Sequence, residues 1–220
     1  ARSKARSGKS DWEGALTDAN EAVRLAPRLA EALVCRGVAL TKRDLRGALA
    51  DLDQATRLNP QWAPSFSTRS FFRCESGDLE GGQADVDQAR RLAPRMPATF
   101  VCAGYACYFK GDPEGAIAEC GAALARHPGL AGAYLVRGFA RAFKEDVTGA
   151  IADYSSAIRL NPWSSGAYAN RGLMLFKQGD PSGALADYNE ALRLDPANID
   201  AHAHRALTRA SQGDPNGAIA

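Results

Sequence analysis

The stretch GDPSGALADYNEALRLDP, at residues 179–196, decides the fold because close copies of it recur along the chain. Residues 145–162 read EDVTGAIADYSSAIRLNP, 43–60 read RDLRGALADLDQATRLNP and 10–27 read SDWEGALTDANEAVRLAP. An enzyme needs its catalytic centre once, whereas a segment copied along a whole chain indicates a repeated structural unit. The sequence of 220 residues is therefore predicted to form an array of repeats.

An aspartate marks the same position of every copy and gives the period of the array. It recurs at intervals of 33 and then 34 residues, as Asp11, Asp44, Asp78, Asp112, Asp146, Asp180 and Asp214. Two small residues seven apart follow it, such as Ala150 and Ala157 in one copy and Ala184 and Ala191 in the next. Such residues lie on one face of a helix, where another helix can approach closely. Each complete copy ends at a proline, which cannot continue a helix.

A second helical pattern lies between each proline and the next aspartate. It carries a small residue on its packing face: Gly37, Ser70, Gly104, Gly138, Gly172 and Ala206. Gly-Asp pairs such as Gly179 and Asp180 connect the two patterns, because glycine suits a left-handed helix end and aspartate caps the next helix. Pro181 then suits the first helical position. The repeated unit is predicted to be a helical hairpin.

This organisation resembles the tetratricopeptide-repeat family, whose period is about 34 residues and whose signature begins with an aromatic residue. Aromatic residues match that position at Phe66, Phe100, Tyr134 and Tyr168, whereas Leu33 and His202 depart from it. The resemblance implies an all-α fold, a right-handed α-solenoid of antiparallel helical hairpins. The predicted single array has complete repeats at 30–60, 63–94, 97–128, 131–162 and 165–196, with partial repeats at 1–27 and 199–220. We therefore expect a fragment of a longer protein.

Composition argues against several other functional classes. The net charge is only +2, and the cations alternate with acids, which disfavours a nucleic-acid or membrane partner. The five cysteines lack paired CxxC spacing, so they are interpreted as core thiols without metal or cofactor. No signal peptide opens the chain, which favours a cytoplasmic location. The first residue is alanine rather than methionine, so the presence of the native N-terminus stays open.

The candidate binding surface follows from the resemblance, because first helices form the concave face of tetratricopeptide arrays. The residues expected there are apolar or aromatic: Val38, Phe71, Val101, Tyr105, Tyr108, Phe109, Leu135, Phe139, Phe143, Leu173 and Phe176. They predict a protein-interaction scaffold that holds an apolar or aromatic peptide, or an amphipathic helix, in its groove. The alternative for these side chains is packing between helices. The alternative for the function is the regulatory or substrate-recruiting arm of a larger enzyme.

The sequence lacks the residues that two other functions, binding of a chaperone tail and catalysis, would require. Relatives that bind the C-terminal carboxylate of chaperones carry Lys, Asn and Arg in columns where this chain has Val34 and Val38, or Val101 and Tyr105. A chaperone tail is therefore an unexpected partner. No phosphate loop, nucleophile elbow or HExxH motif is present, and His202 and His204 are two apart on a helix. We expect no catalysis in this segment.

Two further columns run through the repeats. Arginines recur as Arg2, Arg36, Arg69, Arg137, Arg171 and Arg205, interrupted at Ala103, and each second helix carries an acid such as Asp153 or Asp187. A ladder of bidentate ion pairs is predicted, with Glu119 left short of an arginine. Glycines such as Gly149 occupy the first turn of every second helix, where the sequence itself suggests no physical reason for them.

Overall fold

The computed structural model describes residues 12–40 and 44–213. The predicted caps Asp11 and Asp214 and the cation Arg2 lie outside the described part of the chain. The described ranges contain twelve α-helices and no strands. The chain forms two compact units, Ala1–His127 and Pro128–Ala220.

Unit 1 contains seven helices in which first and second helices of hairpins alternate. They are α1 Trp12–Leu25, α2 Ala30–Leu40, α3 Leu45–Leu58, α4 Ala63–Glu75, α5 Leu79–Leu92, α6 Pro97–Phe109 and α7 Pro113–Arg126. Each helix packs on the next along the chain, and α4 also packs on α2 and α6. First helices of successive hairpins are thus neighbours in this unit.

Unit 2 repeats the pattern with five helices. They are α8 Ala131–Phe143, α9 Val147–Leu160, α10 Ser165–Gln178, α11 Pro181–Leu194 and α12 Ile199–Ser211. Successive helices pack together, and the first helices α10 and α12 also touch. The packing of successive helix pairs in each unit is typical of a tetratricopeptide solenoid.

The joints between helices follow the Gly-Asp chemistry expected from the sequence. Gly77, Gly111 and Gly179 adopt positive φ at 91°, 75° and 91°. The next aspartate then caps the second helix, and in α11 the Asp180 carboxylate accepts a hydrogen bond from the Gly183 amide at 2.8 Å. Glu145 stands at the position that these three joints fill with glycine and still takes φ 62°, a conformation that disfavours a side chain.

The capping carboxylates also give a reason for the glycine column in the first turn of the second helices. One carboxylate oxygen of Asp146 accepts the Gly149 amide at 2.9 Å. A Cβ added to Gly149 would lie 2.1 Å from the other oxygen. Corresponding clashes of 2.1–2.3 Å arise at Gly47, Gly81, Gly115 and Gly183. Glycine therefore leaves room for a carboxylate that folds over the helix end.

The small-residue column of the first helices is the place where the two helices of a hairpin meet most closely. A Cβ on Gly138 would lie 2.6 Å from the ring of Tyr154, and a Cβ on Gly172 would lie 2.7 Å from Tyr188. Both tyrosines are buried. The alanine column of the second helices is buried from Ala55 to Ala191, with Ala157 at 2% exposure, which confirms the predicted packing face there, whereas Ala22 in α1 is half-buried.

Candidate functional site

Unit 1 brings part of the predicted groove together as a cluster of aromatic rings on neighbouring first helices. The ring centroid of Phe71, on α4, lies 4.8 Å from that of Tyr105 and 6.3 Å from that of Phe109, both on α6. Tyr105 and Phe109 stack at 6.3 Å because they are four residues apart on one helix. All three are half-buried, so the cluster keeps an accessible side. We call these three residues the unit 1 aromatic cluster.

Adjacent side chains extend this cluster in both directions within unit 1. Tyr108 contacts Phe109 with centroids 5.8 Å apart. Val38, on α2, packs half-buried against the core around Phe72, and Phe71 does the same. Val101 is half-buried on α6. The apolar residues of α2, α4 and α6 thus lie on three first helices that follow one another in space.

Burial changes the chemistry of the polar atoms around the cluster. It raises the pKa of the Tyr105 phenol above its ordinary value. It also raises the pKa of Cys102 to about 12. The Cys102 thiol donates a hydrogen bond to the Ser67 carbonyl at 2.9 Å. These groups suit an uncharged binding surface.

The candidate residues of unit 2 pack more closely into its core. The ring of Phe139, on α8, lies 5.9 Å from the ring of Tyr154 of its own hairpin. Leu135 and Leu173 pack, half-buried, on the same core, which includes Met174. Packing between helices, the alternative for these side chains, is therefore one of their roles.

Two candidate aromatic residues of unit 2 lie at the C-terminal ends of its first helices. Phe143 exposes 65% of its surface at the end of α8. Phe176 is half-buried near the end of α10. A single exposed ring is common on protein surfaces, so the exposure of Phe143 by itself marks no binding site.

The predicted ion-pair ladder is present in four hairpins. Arg171 donates two hydrogen bonds of 2.7 Å to Asp187, and Arg137 donates two of 2.9 and 2.7 Å to Asp153. The same bidentate pairs are Arg36 with Asp51 and Arg69 with Asp85. The hydrogen bonds that Arg171 donates to Asp187 raise the pKa of Arg171. The arginine column therefore joins the helices of a hairpin rather than forming a free phosphate site.

Glu119 has an arginine partner although Ala103 interrupts the arginine column, so the prediction that Glu119 lacks an arginine was wrong. Arg90, on the preceding second helix α5, forms an ion pair of 2.5 Å with Glu119 on α7. Its guanidinium also lies 6.0 Å from the ring of Phe100. In three of the four bidentate pairs the arginine stands over the aromatic residue three positions earlier, as Arg137 does over Tyr134 at 5.5 Å. Arg90 supplies both contacts from a neighbouring helix.

The interpretation of the cysteines as core thiols holds for two of the five. Cys74 and Cys120 are buried, whereas Cys35, Cys102 and Cys107 are half-buried and all five are free thiols. The three half-buried thiols lie on the first helices α2 and α6. In the described ranges no group of three metal-ligating side chains comes together.

The two neighbouring histidines of α12 contact different groups. The Nε2 atom of His202 lies 3.0 Å from the Pro196 carbonyl oxygen, while the His204 ring stacks on Tyr188 at 6.1 Å. This agrees with the expectation that residues two apart on a helix point in different directions.

Among the helices described here, none combines the length and hydropathy that a membrane crossing requires.

Comparison with known proteins identifies the repeat. Residues 172–213 match the family described as TPR repeat. Curated protein sequences gave no significant match. Among solved structures, a chain of the APC/C hetero-tetramer Cut9-Hcn1 is 19% identical with a TM-score of 0.78, covering 97% of this chain and 42% of that one.

Two other solved structures illustrate how widely the fold is shared. Human IFIT1, in a dimer with m7Gppp-AAAA, is 17% identical with a TM-score of 0.81 over 96% of this chain and 53% of that one. TTC0263, a thermophilic tetratricopeptide-repeat protein of Thermus thermophilus, is 20% identical with a TM-score of 0.72 over 81% and 98%. The chain thus spans about half the length of the Cut9-Hcn1 and IFIT1 chains that it matches, and the likeness concerns the fold.

Proposed function

The chain is a tetratricopeptide-repeat protein, and we propose that it is an interaction scaffold that binds an apolar or aromatic peptide, or an amphipathic helix, on its first helices. The observation that carries this proposal is the unit 1 aromatic cluster, Phe71, Tyr105 and Phe109. Its rings lie 4.8–6.3 Å apart on two neighbouring first helices and remain only half-buried. Binding energy at interfaces is concentrated in a few large rings of this kind.

The geometry suits a segment with an apolar stripe. Aromatic side chains offer large, stiff contact areas, and the rings here already pack on one another, two pairs edge to face and one pair stacked, so little ordering is required on binding. An amphipathic helix presents apolar residues at three- and four-residue spacing, which can cover a cluster formed by two adjacent helices. Val38 on α2 lengthens the apolar surface along the unit.

The test compares two neighbouring phenylalanines of α4. Phe72 is buried in the core with 3% exposure, while Phe71 belongs to the cluster. Phe71→Ala is expected to weaken binding of a selected peptide by about 2 kcal/mol or more. Phe72→Ala is expected to lower the free energy of unfolding by about 3–5 kcal/mol while the folded molecules keep their affinity.

The probe would be a helical peptide with an apolar stripe, selected from a displayed library against the intact chain. Fluorescence anisotropy gives its affinity, and denaturant unfolding gives the stability of the same variants. Failure to select any peptide, or an unchanged affinity for Phe71→Ala together with a core-sized loss of stability, would show that the rings serve only packing.

A further inference from the structure

A cleft in unit 1 lies apart from the aromatic cluster, where the loop between α5 and α6 meets the end of α7. Its walls are Pro94, Arg95, Phe100, Arg126 and His127. Arg95, Arg126 and His127 are exposed, and Phe100 is half-buried beneath them. The cleft therefore combines an aromatic floor with cationic side chains at its rim.

Two of its guanidinium groups have no acidic partner in the ranges that the structure describes. Arg126 lies over Phe100 with 5.4 Å between its guanidinium carbon and the ring centroid, and one of its nitrogens donates to the Ala122 carbonyl at 3.0 Å. The nearby carboxylate of Glu119 is already paired with Arg90. Arg95 and Arg126 consequently leave several N–H donors available to a ligand.

The internal repeat shows that the fold does not require these cations. The position of Arg126 holds leucine in the other hairpins: Leu25, Leu58, Leu92, Leu160 and Leu194. The position of Arg95 holds another arginine once and otherwise uncharged residues: Arg28, Gln61, Gly129, Trp163 and Ala197. Since hairpins with leucine and glutamine at these places form the same helices, the arginines of this cleft need a different explanation.

We propose that this cleft binds the phosphate group of a phosphorylated segment in a protein partner. Two guanidinium cations match the charge of a phosphate monoester, which is about −1.5 to −2 at neutral pH. Planar guanidinium groups also donate paired hydrogen bonds to phosphate oxygens. Arginine clusters of this type are a recurring means of recognising phosphorylated peptides.

A peptide phosphate fits the cleft better than a nucleic acid. Single-stranded nucleic acids need aromatic faces on which successive bases stack. Phe100 and the exposed imidazole of His127 are the rings that line this cleft, and guanidinium groups of Arg90 and Arg126 already lie over Phe100 at 6.0 and 5.4 Å. The cationic rim is also short, whereas a nucleic-acid groove follows several phosphates.

The experiment measures binding to a fluorescein-labelled glycine peptide that carries one phosphoserine, by anisotropy at low ionic strength. The test variant is Arg95→Gln combined with Arg126→Leu, which installs residues found at the same positions of another hairpin in this chain. The control variant is Arg46→Ala combined with Arg57→Ala, which removes two exposed arginines of α3 in the same unit. Circular dichroism confirms that both variants keep their helices.

The expected result is binding of the phosphopeptide that weakens by about tenfold or more in the test variant and by less than about twofold in the control. The same glycine peptide with an unphosphorylated serine should not bind. Equal affinity for a glutamate peptide would overturn the proposal in favour of a general acidic ligand. Tighter binding of a single-stranded oligonucleotide, lost in the same test variant, would overturn it in favour of a nucleic-acid site. Equal losses in both variants, or no phosphopeptide binding, would refute it outright.

Discussion

Replacement of Gly138 by alanine tests whether the small-residue column is required by the ring that covers it. The added Cβ would lie 2.6 Å from Cε1, 2.8 Å from Cδ1 and 3.1 Å from Cζ of Tyr154. Carbon atoms in contact prefer separations of about 3.5–4.0 Å, so the ring must move by about 1 Å. Tyr154 is 1% exposed and packs against Phe139 and Met174, which leaves little space for such a movement.

The magnitude follows from two opposing effects. Overpacking of a filled core costs about 1–3 kcal/mol. Alanine is favoured over glycine within a helix by about 0.5–1 kcal/mol. Gly138→Ala is therefore expected to lower the free energy of unfolding by about 1–2 kcal/mol. The loss should shrink in a Tyr154→Val background, because the side chain that collides is removed; the α4/α5 hairpin combines Ser70 with Val86 at the same two positions.

Gly121 provides the matched control, because it is also a glycine inside a helix. A Cβ at this position would meet no other atom within 4 Å, so Gly121→Ala should stabilise the chain by up to about 1 kcal/mol. Gly166, in unit 2, has the same open surroundings. Urea unfolding followed by circular dichroism gives the midpoints and slopes. If Gly138→Ala stabilised the chain as Gly121→Ala does, or showed no coupling to Tyr154, the argument from close helix contact would be refuted.

Three further changes test the packing, the ladder and the caps. Ala157→Leu is expected to destabilise by about 1–3 kcal/mol through overpacking, and an unchanged denaturation midpoint would contradict the assigned packing face. Arg171→Met should cost about 3–5 kcal/mol because it leaves the buried Asp187 unpaired, and the double change with Asp187→Leu should recover part of the loss in thermal unfolding. Gly183→Ala should displace the capping carboxylate of Asp180. Asp180→Ala should therefore lower the free energy of unfolding by about 1 kcal/mol in the native chain and by clearly less in the Gly183→Ala background. Equal losses in the two backgrounds would show that the cap and the alanine coexist.

The hairpins were predictable because their signals are local. An aspartate that caps a helix, a glycine that ends one and a proline that prevents its continuation act within a few residues of their own position. Gly179, Asp180 and Pro181 show all three in succession, and the structure places them as expected. Pairing between the arginine and acid columns was predictable for a similar reason, because the repeat sets the spacing of both, whereas the structure showed that Arg171 pairs with Asp187 rather than Asp153.

The partners of single side chains depended on neighbours that the repeat alone does not specify. Arg90 replaces the arginine missing at Ala103, but it does so from a helix of the preceding hairpin. Phe139 packs on Tyr154 of its own hairpin, whereas Tyr105 contacts Phe71 of the previous one. Both residues stand at the same position of the repeat, and the size of the surrounding side chains determines which contact each makes.

The sequence by itself determined that this chain is all-helical, because caps, breakers and small-residue columns recur every 34 residues and each depends on short-range sterics and hydrogen bonds. The tertiary structure decided which apolar residues stay accessible and which charges lack partners. It showed what a side chain at Gly149 would displace, since the colliding oxygen of Asp146 occupies that space only once the cap has folded over the helix end. It also brought Arg95 and Arg126 to the walls of one cleft, although 31 residues separate the two arginines in the chain. This proximity arises only when α6 and α7, the two helices of one hairpin, pack against each other, because no local preference links residues so far apart.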